Sequence, residues 1–291
     1  MVAGPLLLVG RSFDRGADRR VGTMRNKRYP AATCIHPTTG IMRNRPSIRR
    51  QDHESDSPAP LHVAGENHLL HMLPRAEGER LKLMMERIKT KRGDPVFHRS
   101  KLITHIHFPL HGVISIVVEM EEGGTAEVGT VGNEGMAGLP VLFGADSTTN
   151  TAFYQVPGES MRMTTVAFRN EIASNPQFAN VMRLHAQGFL TQVSQSAACN
   201  RLHAVEQRLC RWILMSHDRV GQNTVALTQE FLAQMLGVRR ASVGIVASTL
   251  QKAGLIRYRR GIIDILNREG LEEGSCECYS IVRKEYERLL C

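Results

Sequence analysis

The most specific chemistry in the chain is carried by Arg239, Arg240 and Ser242, and by a second cluster a short way on, Arg257, Arg259 and Arg260. A guanidinium is a planar, permanently charged fork of N–H donors that matches phosphate oxygens and the O6/N7 edge of guanine, and a hydroxyl adds a further phosphate donor. Such a set suits duplex DNA. At a spacing of 3.6, Phe231, Leu232, Met235 and Leu236 form one face of a short helix, opened by Thr228 as N-cap with Gln229 and Glu230 in the first turn. Gly237 ends it, because glycine takes the left-handed conformation of a helix C-terminus at least cost, and Val238 tucks back between helices. A second helix over residues 240–252 buries Val243, Val246, Ala247 and Leu250 and leaves its basic start exposed. Leu255, Ile256 and Tyr258, a turn at Arg259-Arg260-Gly261, and Ile262, Ile263 and Ile265 then predict a two-stranded hairpin.

Two helices joined by a tight glycine turn and followed by a basic hairpin make a winged helix-turn-helix. Residues 227–266 resemble the winged helix-turn-helix of the Crp/Fnr superfamily of bacterial transcription regulators, and the run L-A-Q-M-L-G-V-R-R-A-S-V at residues 232–243 is the most specific part of the likeness. The resemblance implies a guanine contact for Arg240 and a phosphate contact for Ser242. Arg239, Arg257, Arg259 and Arg260 would grip the backbone, and Thr228 and Gln229 complete the DNA-binding set. It also implies a homodimer on a palindromic operator and RNA polymerase as a further partner. Ala241 stands where the family's best-known readers have an acidic residue, and Ile245 where they have another arginine, so the operator sequence does not transfer.

The chain has 291 residues, 42% of them hydrophobic, and a mean hydropathy of -0.22, enough for two domains. No apolar run approaches a membrane span, so no membrane is expected as a partner. The net charge of +9 resides in residues 1–50, which hold 11 Lys and Arg against 2 acidic residues; residues 51–291 balance at 26 against 26. Within that balanced body, residues 225–268 carry seven basic and two acidic residues, the local footprint that phosphate binding needs. Residues 1–62 lack periodicity and read as a disordered basic N-terminal extension, either an arm that adds DNA affinity or sequence included by too early a start codon. No nucleophile motif or phosphate loop points to an enzyme.

Helical spacing over residues 66–91, with Leu69, Leu70, Leu73, Leu81, Leu83, Met84 and Ile88, predicts small helices split by Pro74. Residues 103–108 alternate, residues 113–118 are a β-branched run, Gly123-Gly124 marks a hairpin, and residues 152–156 and 161–164 read as further strands. Many short strands with glycine turns predict a β-roll, jelly-roll-like, over residues 66–175. Ahead of a winged helix, this resembles the cyclic-nucleotide-binding effector domain of the same superfamily. That domain's phosphate cassette requires an Arg followed by a hydroxyl residue; here those places are Asn150 and Thr151, and no Lys or Arg occurs anywhere from Leu102 to Met161. A buried phosphate would lack its guanidinium, so a cyclic nucleotide is disfavoured. Glu134, in the run N-E-G-M-A-G, and Asn150 and Thr151 remain as candidate contacts for another effector.

His98, His105, His107 and His111 suggest a metal, but no further ligand completes a set, so no metal or other cofactor is expected. The six cysteines lack a disulfide framework and suit a reducing cytoplasm; in Cys276-Glu-Cys278 the two thiols would not share a face of a helix. Residues 176–200 predict a long dimerisation helix with Phe178, Met182, Phe189, Val193 and Ala197 on one stripe. Residues 201–291 would then form the winged domain, closed by one amphipathic helix over residues 268–290. The expected fold is α+β: β-roll, long helix, winged helix-turn-helix, in a DNA-binding transcription regulator. The competing reading is a winged-helix adaptor for protein contacts, or a metabolite- or metal-sensing module.

Overall fold

A computed structural model of the chain describes residues 65–290; the expectations for residues 1–62 lie outside them. Two short helices come first, α1 (His68–His71) and α2 (Arg75–Lys82), with Pro74 as the N-cap of the second. The helical spacing expected to run on to residue 91 stops there. Leu83 is 89% exposed, and β1 (Glu86–Lys89) is a strand, because it pairs antiparallel with residues 159–162, a partner that local periodicity cannot announce. Then follow β2 (Pro95–Phe97), β3 (His105–Glu119), β4 (Thr125–Val131), α3 (Leu139–Leu142), β5 (Thr151–Thr164) and α4 (Thr165–Ser174). The strands expected at 103–108 and 113–118 are one strand, as are those at 152–156 and 161–164.

The strands pair antiparallel in the order β1-β5-β3-β4, with β2 also on β5. The two long strands shift register where Gly112 faces Gly158. A Cβ on Gly112 would lie 2.8 Å from the Val156 carbonyl oxygen, and one on Gly158 2.2 Å from that of His111. Only glycine lets these backbones pass. The roll closes over Phe108, Ile114, Tyr154, Met163 and Phe168.

The long helix α5 (Pro176–Leu202) starts at Asn175, whose side chain accepts from the Phe178 N–H at 3.1 Å. Phe178 and Met182 are fully buried in the roll core, and Phe178 meets the Phe168 ring edge-on at 5.6 Å. These two members of the expected pairing stripe are therefore unavailable to a second copy, since the concave roll claims that face. Phe189 and Val193 are half-buried and Ala197 is exposed; Leu190, 59% exposed, and Arg183 lead the outward side.

The winged domain contains α6 (Val205–Val220), β6 (Thr224–Ala226), α7 (Gln229–Leu236), α8 (Arg240–Lys252), β7 (Ile256–Arg259) and β8 (Ile262–Ile265), its sheet ordered β6-β8-β7. Its core joins Leu209 and Ile213 of α6 to Leu232, Val243, Leu250 and Ile263. The expected single terminal helix is two, α9 (Arg268–Glu273) and α10 (Cys278–Leu290), broken at Gly274 and Ser275. From Val282 on, α10 leaves the winged domain: Val282, Tyr286, Leu289 and Leu290 belong to the roll core, and the His68 Nε2 is 2.7 Å from the Leu290 carbonyl oxygen. Residues 201–291 thus do not share one core. Among the described residues no helix is long and apolar enough to cross a membrane.

Roll and winged domain are joined by buried polar contacts. Arg219 of α6 donates to Glu134 Oε1 at 2.7 and 2.9 Å, to Thr130 Oγ1 at 2.5 Å and to Gln192 Oε1 of α5 at 3.0 Å. Nearby, Glu127 of β4 accepts from Ser115 Oγ at 2.6 Å and from Trp212 Nε1 of α6 at 3.0 Å; burial pushes its carboxyl up to about 7, against these hydrogen bonds and the charges of Arg211 and Arg219.

Arg219→Ala, which leaves the Glu134 carboxylate buried without its guanidinium, should cost about 3–5 kcal/mol in urea unfolding, and Arg219→Met with Glu134→Leu should recover most of that loss. For Glu127, the folded value of about 7 lies above the ordinary 4.5, so the fold holds this proton more tightly than the unfolded chain does. Its stabilisation is complete below the ordinary value and falls as pH rises through the folded one. Between about pH 5 and about pH 8 the urea midpoint should therefore drop further in the parent than in Glu127→Gln.

Candidate nucleic-acid interface

Each residue of the proposed reading surface is held by local chemistry. Thr228 caps α7, its Oγ1 accepting from the Phe231 N–H at 3.2 Å, and Gly237 ends the helix at φ +60 as expected. Arg239 is the N-cap residue of α8, so Arg239, Arg240 and Ser242 lie at the open N-terminus of that helix; both arginines are exposed, and Arg240 Nη1 lies a loose 3.8 Å from Glu230. The free amides and positive dipole end of α8 favour an anion at the same place.

The hairpin β7–β8 turns through Arg260 at φ +51 and Gly261 at φ +77, the pair of left-handed residues of a type I′ turn. An arginine in that conformation is uncommon, and it sets the exposed Arg259 and Arg260 at the tip. The wing is fastened to α7 and α8: Tyr258 OH donates to the Leu227 carbonyl at 2.9 Å, the Leu227 N–H donates to the Gly261 carbonyl at 2.5 Å, and the Tyr258 N–H donates to Gln251 Oε1 at 2.8 Å. Gln229, half-buried, lies beside Gly244 of α8. All eight sequence-predicted positions thus fall on the two helices and wing of one unit. The tip of the β3–β4 hairpin was not foreseen there. Its Gly123 and Thr125 line the same crevice as Arg239, Arg240 and Ser242, and the Phe153 ring meets Phe231 edge-on at 6.2 Å.

A second concavity of about 620 Å³ lies between the roll and α5, lined by Phe97, Ile116, Val118, Phe143 and Leu190 among others. Of the three candidate effector residues only Asn150 lines it. Thr151 accepts from the Arg99 N–H at 3.2 Å, and Glu134 is committed to Arg219. Arg183 of α5 also lines the cavity, a cationic residue that lies outside the strand segment 102–161. The glycines around Glu134 are packing positions: a Cβ on Gly132 would lie 2.4 Å from Arg219 Cγ, and one on Gly135 2.4 Å from His185 Cε1.

The four-histidine cluster does not assemble. His107 is buried 2.9 Å from Tyr154 OH and burial pulls it down to about 3, while His105 Nδ1 lies 3.0 Å from Thr104 Oγ1. The cysteines depart from expectation the other way. Cys276 lies in the turn ahead of α10 and Cys278 is that helix's first residue, so the helical-face argument does not apply to them.

Comparison with known proteins agrees with this geometry. Residues 87–175 match the cyclic nucleotide-binding domain model and residues 207–273 the Crp-like helix-turn-helix domain model. No curated protein matches the chain by sequence. Among solved structures, FixK2 from Bradyrhizobium japonicum superimposes with a TM-score of 0.58 at 13% identity, over 66% of this chain and 98% of that one. A transcriptional regulator of the CRP family from Thermus thermophilus gives 0.56 at 17%, over 66% and 96%. The c-di-GMP-responsive global regulator CLP from Xanthomonas campestris gives 0.51 at 17%, over 64% and 96%. At these identities the structures establish a shared fold, and the chain carries a cyclic nucleotide-binding domain followed by a Crp-like helix-turn-helix domain on it.

Proposed function

We propose that the chain is a sequence-specific DNA-binding transcription regulator that acts as a homodimer on a palindromic operator. The observation that carries the reading is the exposed cationic surface formed by the start of α8 and the wing tip, fastened together through Tyr258 and Leu227. Arg240 would read a base edge in the major groove, with Arg239, Ser242, Arg257, Arg259 and Arg260 on the backbone. Gly123 and Thr125 of the β3–β4 hairpin line the same crevice, so this surface adjoins the roll.

The dimer face of α5 would be its outward side, Gln187, Leu190, Val193 and Ala197, at i, i+3, i+6 and i+10, the first three of which also line the rim of the roll cavity. An effector in the roll cavity would be an apolar molecule with a single anionic group for Arg183, rather than a cyclic nucleotide. Transcriptional control also implies contact with RNA polymerase. An adaptor that uses the winged domain for protein contacts would have no need of arginines at both the helix start and the wing tip.

The test is selection of bound sequences from a randomised duplex pool at two salt concentrations. Enrichment of a palindrome supports the proposal; binding that selects nothing and collapses as salt rises means phosphate attraction alone. Arg240→Ala should cost about 1–3 kcal/mol and relax one base position, whereas Arg260→Ala should weaken all sequences alike and lower the salt slope by about one. Leu190→Glu should convert the dimer to monomer in sedimentation and lower palindrome affinity by about 100-fold or more. A Leu190→Glu dimer as stable as the parent would remove α5 as the interface.

A further inference from the structure

Four potential ligands from distant parts of the chain converge where α5 ends. Cys199 lies in the last turn of α5, His203 is its C-cap residue, Cys276 lies in the turn after α9, and Cys278 opens α10. Cys199 Sγ is 3.5 Å from Cys276 Sγ, and Cys278 Sγ is 3.5 Å from His203 Nδ1. All four donor atoms lie within 4.8 Å of one another, and all three cysteines are buried.

A tetrahedral ion with sulfur at about 2.3 Å and nitrogen at about 2.0–2.1 Å requires donor separations of about 3.6–3.8 Å. Two of the separations, at 3.5 Å, are close to that, and the rest, all within 4.8 Å, need to contract by no more than about 1 Å. Donors this close enclose a single atom, not an iron–sulfur cluster. A disulfide would join two of the sulfurs and leave the third thiol and the imidazole without a reason to converge.

Two further features fit a metal and have no role in a merely apolar cysteine cluster. The outer nitrogen of His203, Nε2, lies 3.3 Å from the Glu277 carboxylate. That arrangement fixes the tautomer with Nδ1 free to ligate, as carboxylates behind metal-bound histidines do. Arg208 and Arg211 are also buried here, within electrostatic range of the thiols. Arg208 Nε and Arg211 Nε and Nη1 have no hydrogen-bond partner. Buried guanidinium groups with unpaired N–H donors need negative charge beside them, and three thiolates on a divalent ion leave a net negative charge that offsets them.

The geometry points to a structural zinc site of the Cys3His type, formed by Cys199, His203, Cys276 and Cys278. Soft thiolates and an imidazole in a closed tetrahedron select zinc and leave no open position for catalysis. Zinc binding would release the thiol protons, with each sulfur bonding to the metal and no change of oxidation state. Bound metal would fasten the α5–α6 junction to the α9–α10 junction. The site does not depend on the DNA-binding reading.

The test uses the full chain, reduced and purified without chelator. Elemental analysis should find one zinc per chain, and cobalt(II) exchanged into the site should give the intense visible bands of a tetrahedral ion with thiolate-to-cobalt charge transfer. Cys276→Ser and Cys278→Ser should lose the charge-transfer intensity and the retained zinc, while Cys210→Ser, a buried cysteine outside the set, should keep both. Absence of retained zinc together with a six-coordinate cobalt spectrum on the reduced parent chain would overturn the proposal, as would a tetrahedral spectrum unchanged in Cys276→Ser and Cys278→Ser. The parent spectrum decides the matter even if those variants do not fold.

Discussion

Arg219 and Glu134 form an ion pair with each side chain only 6% exposed, and a pair buried so deeply must be met by partners on every side or it destabilises the fold. The partners come from four places: the loop after β4, Thr130 at the end of β4, Gln192 in the middle of α5, and α6 itself. Burial works against the guanidinium charge and the Glu134 carboxylate restores it. The relative placement of roll, long helix and winged domain is therefore tied to one charge. The glycines on either side of Glu134 follow from it: Gly132 gives room to the Arg219 stem and Gly135 to the ring of His185, which lies on α5 and stacks on Tyr286 of α10 at 6.3 Å. His185 is fully buried and pulled down to about 4 by burial, which favours its neutral ring beside the Arg219–Glu134 pair.

With that junction fixed, the molecule presents two unlike surfaces. The winged unit offers arginines at a helix start and at a strained hairpin tip, a surface whose chemistry is electrostatic. The cavity between roll and α5 is mostly apolar, with Arg183 bringing a charge to it and Asn150 a neutral amide. The β3–β4 hairpin reaches both, since Val118 and Val128 line the cavity while Gly123 and Thr125 face the start of α8. Glu127, on the same hairpin, hydrogen-bonds Trp212 of α6, so displacement of the hairpin is felt in the core of the winged domain.

The winged unit was legible in the sequence because its signals are local: the N-cap at Thr228, the left-handed Gly237, the apolar stripe of α8 and the basic turn at residues 259–261 each act within a few residues of themselves. The strand content of the roll was legible too, by β-branched runs and glycine turns. Long-range facts were not. Apolar spacing put Phe178 and Met182 on a stripe with Phe189, but it could not say that the roll would bury the first two and leave Leu190 outside. Glu134 looked like a ligand because its partner lies 85 residues away. Arg183 was overlooked because the cavity draws on a helix as well as on strands. The spacing Cys276-Glu-Cys278 misled because helix was assumed across residues where the chain turns, and its other two partners sit more than 70 residues earlier.

The return of α10 to the roll has a mechanical consequence. A terminal domain attached by one linker can tumble freely about it, but the segment between Leu202 and Cys278 is attached at both of its ends to the same body. Those two attachments are brought together at Cys199, His203, Cys276 and Cys278. If the buried contacts of Arg219 gave way, sliding of the winged unit along the roll would still be opposed at these attachments, leaving rotation about them, with displacements that grow in proportion to distance. A displacement of the hairpin tip beside α8 would then be converted into a rotation of fixed centre, largest at the wing tip and smallest at the paired attachments.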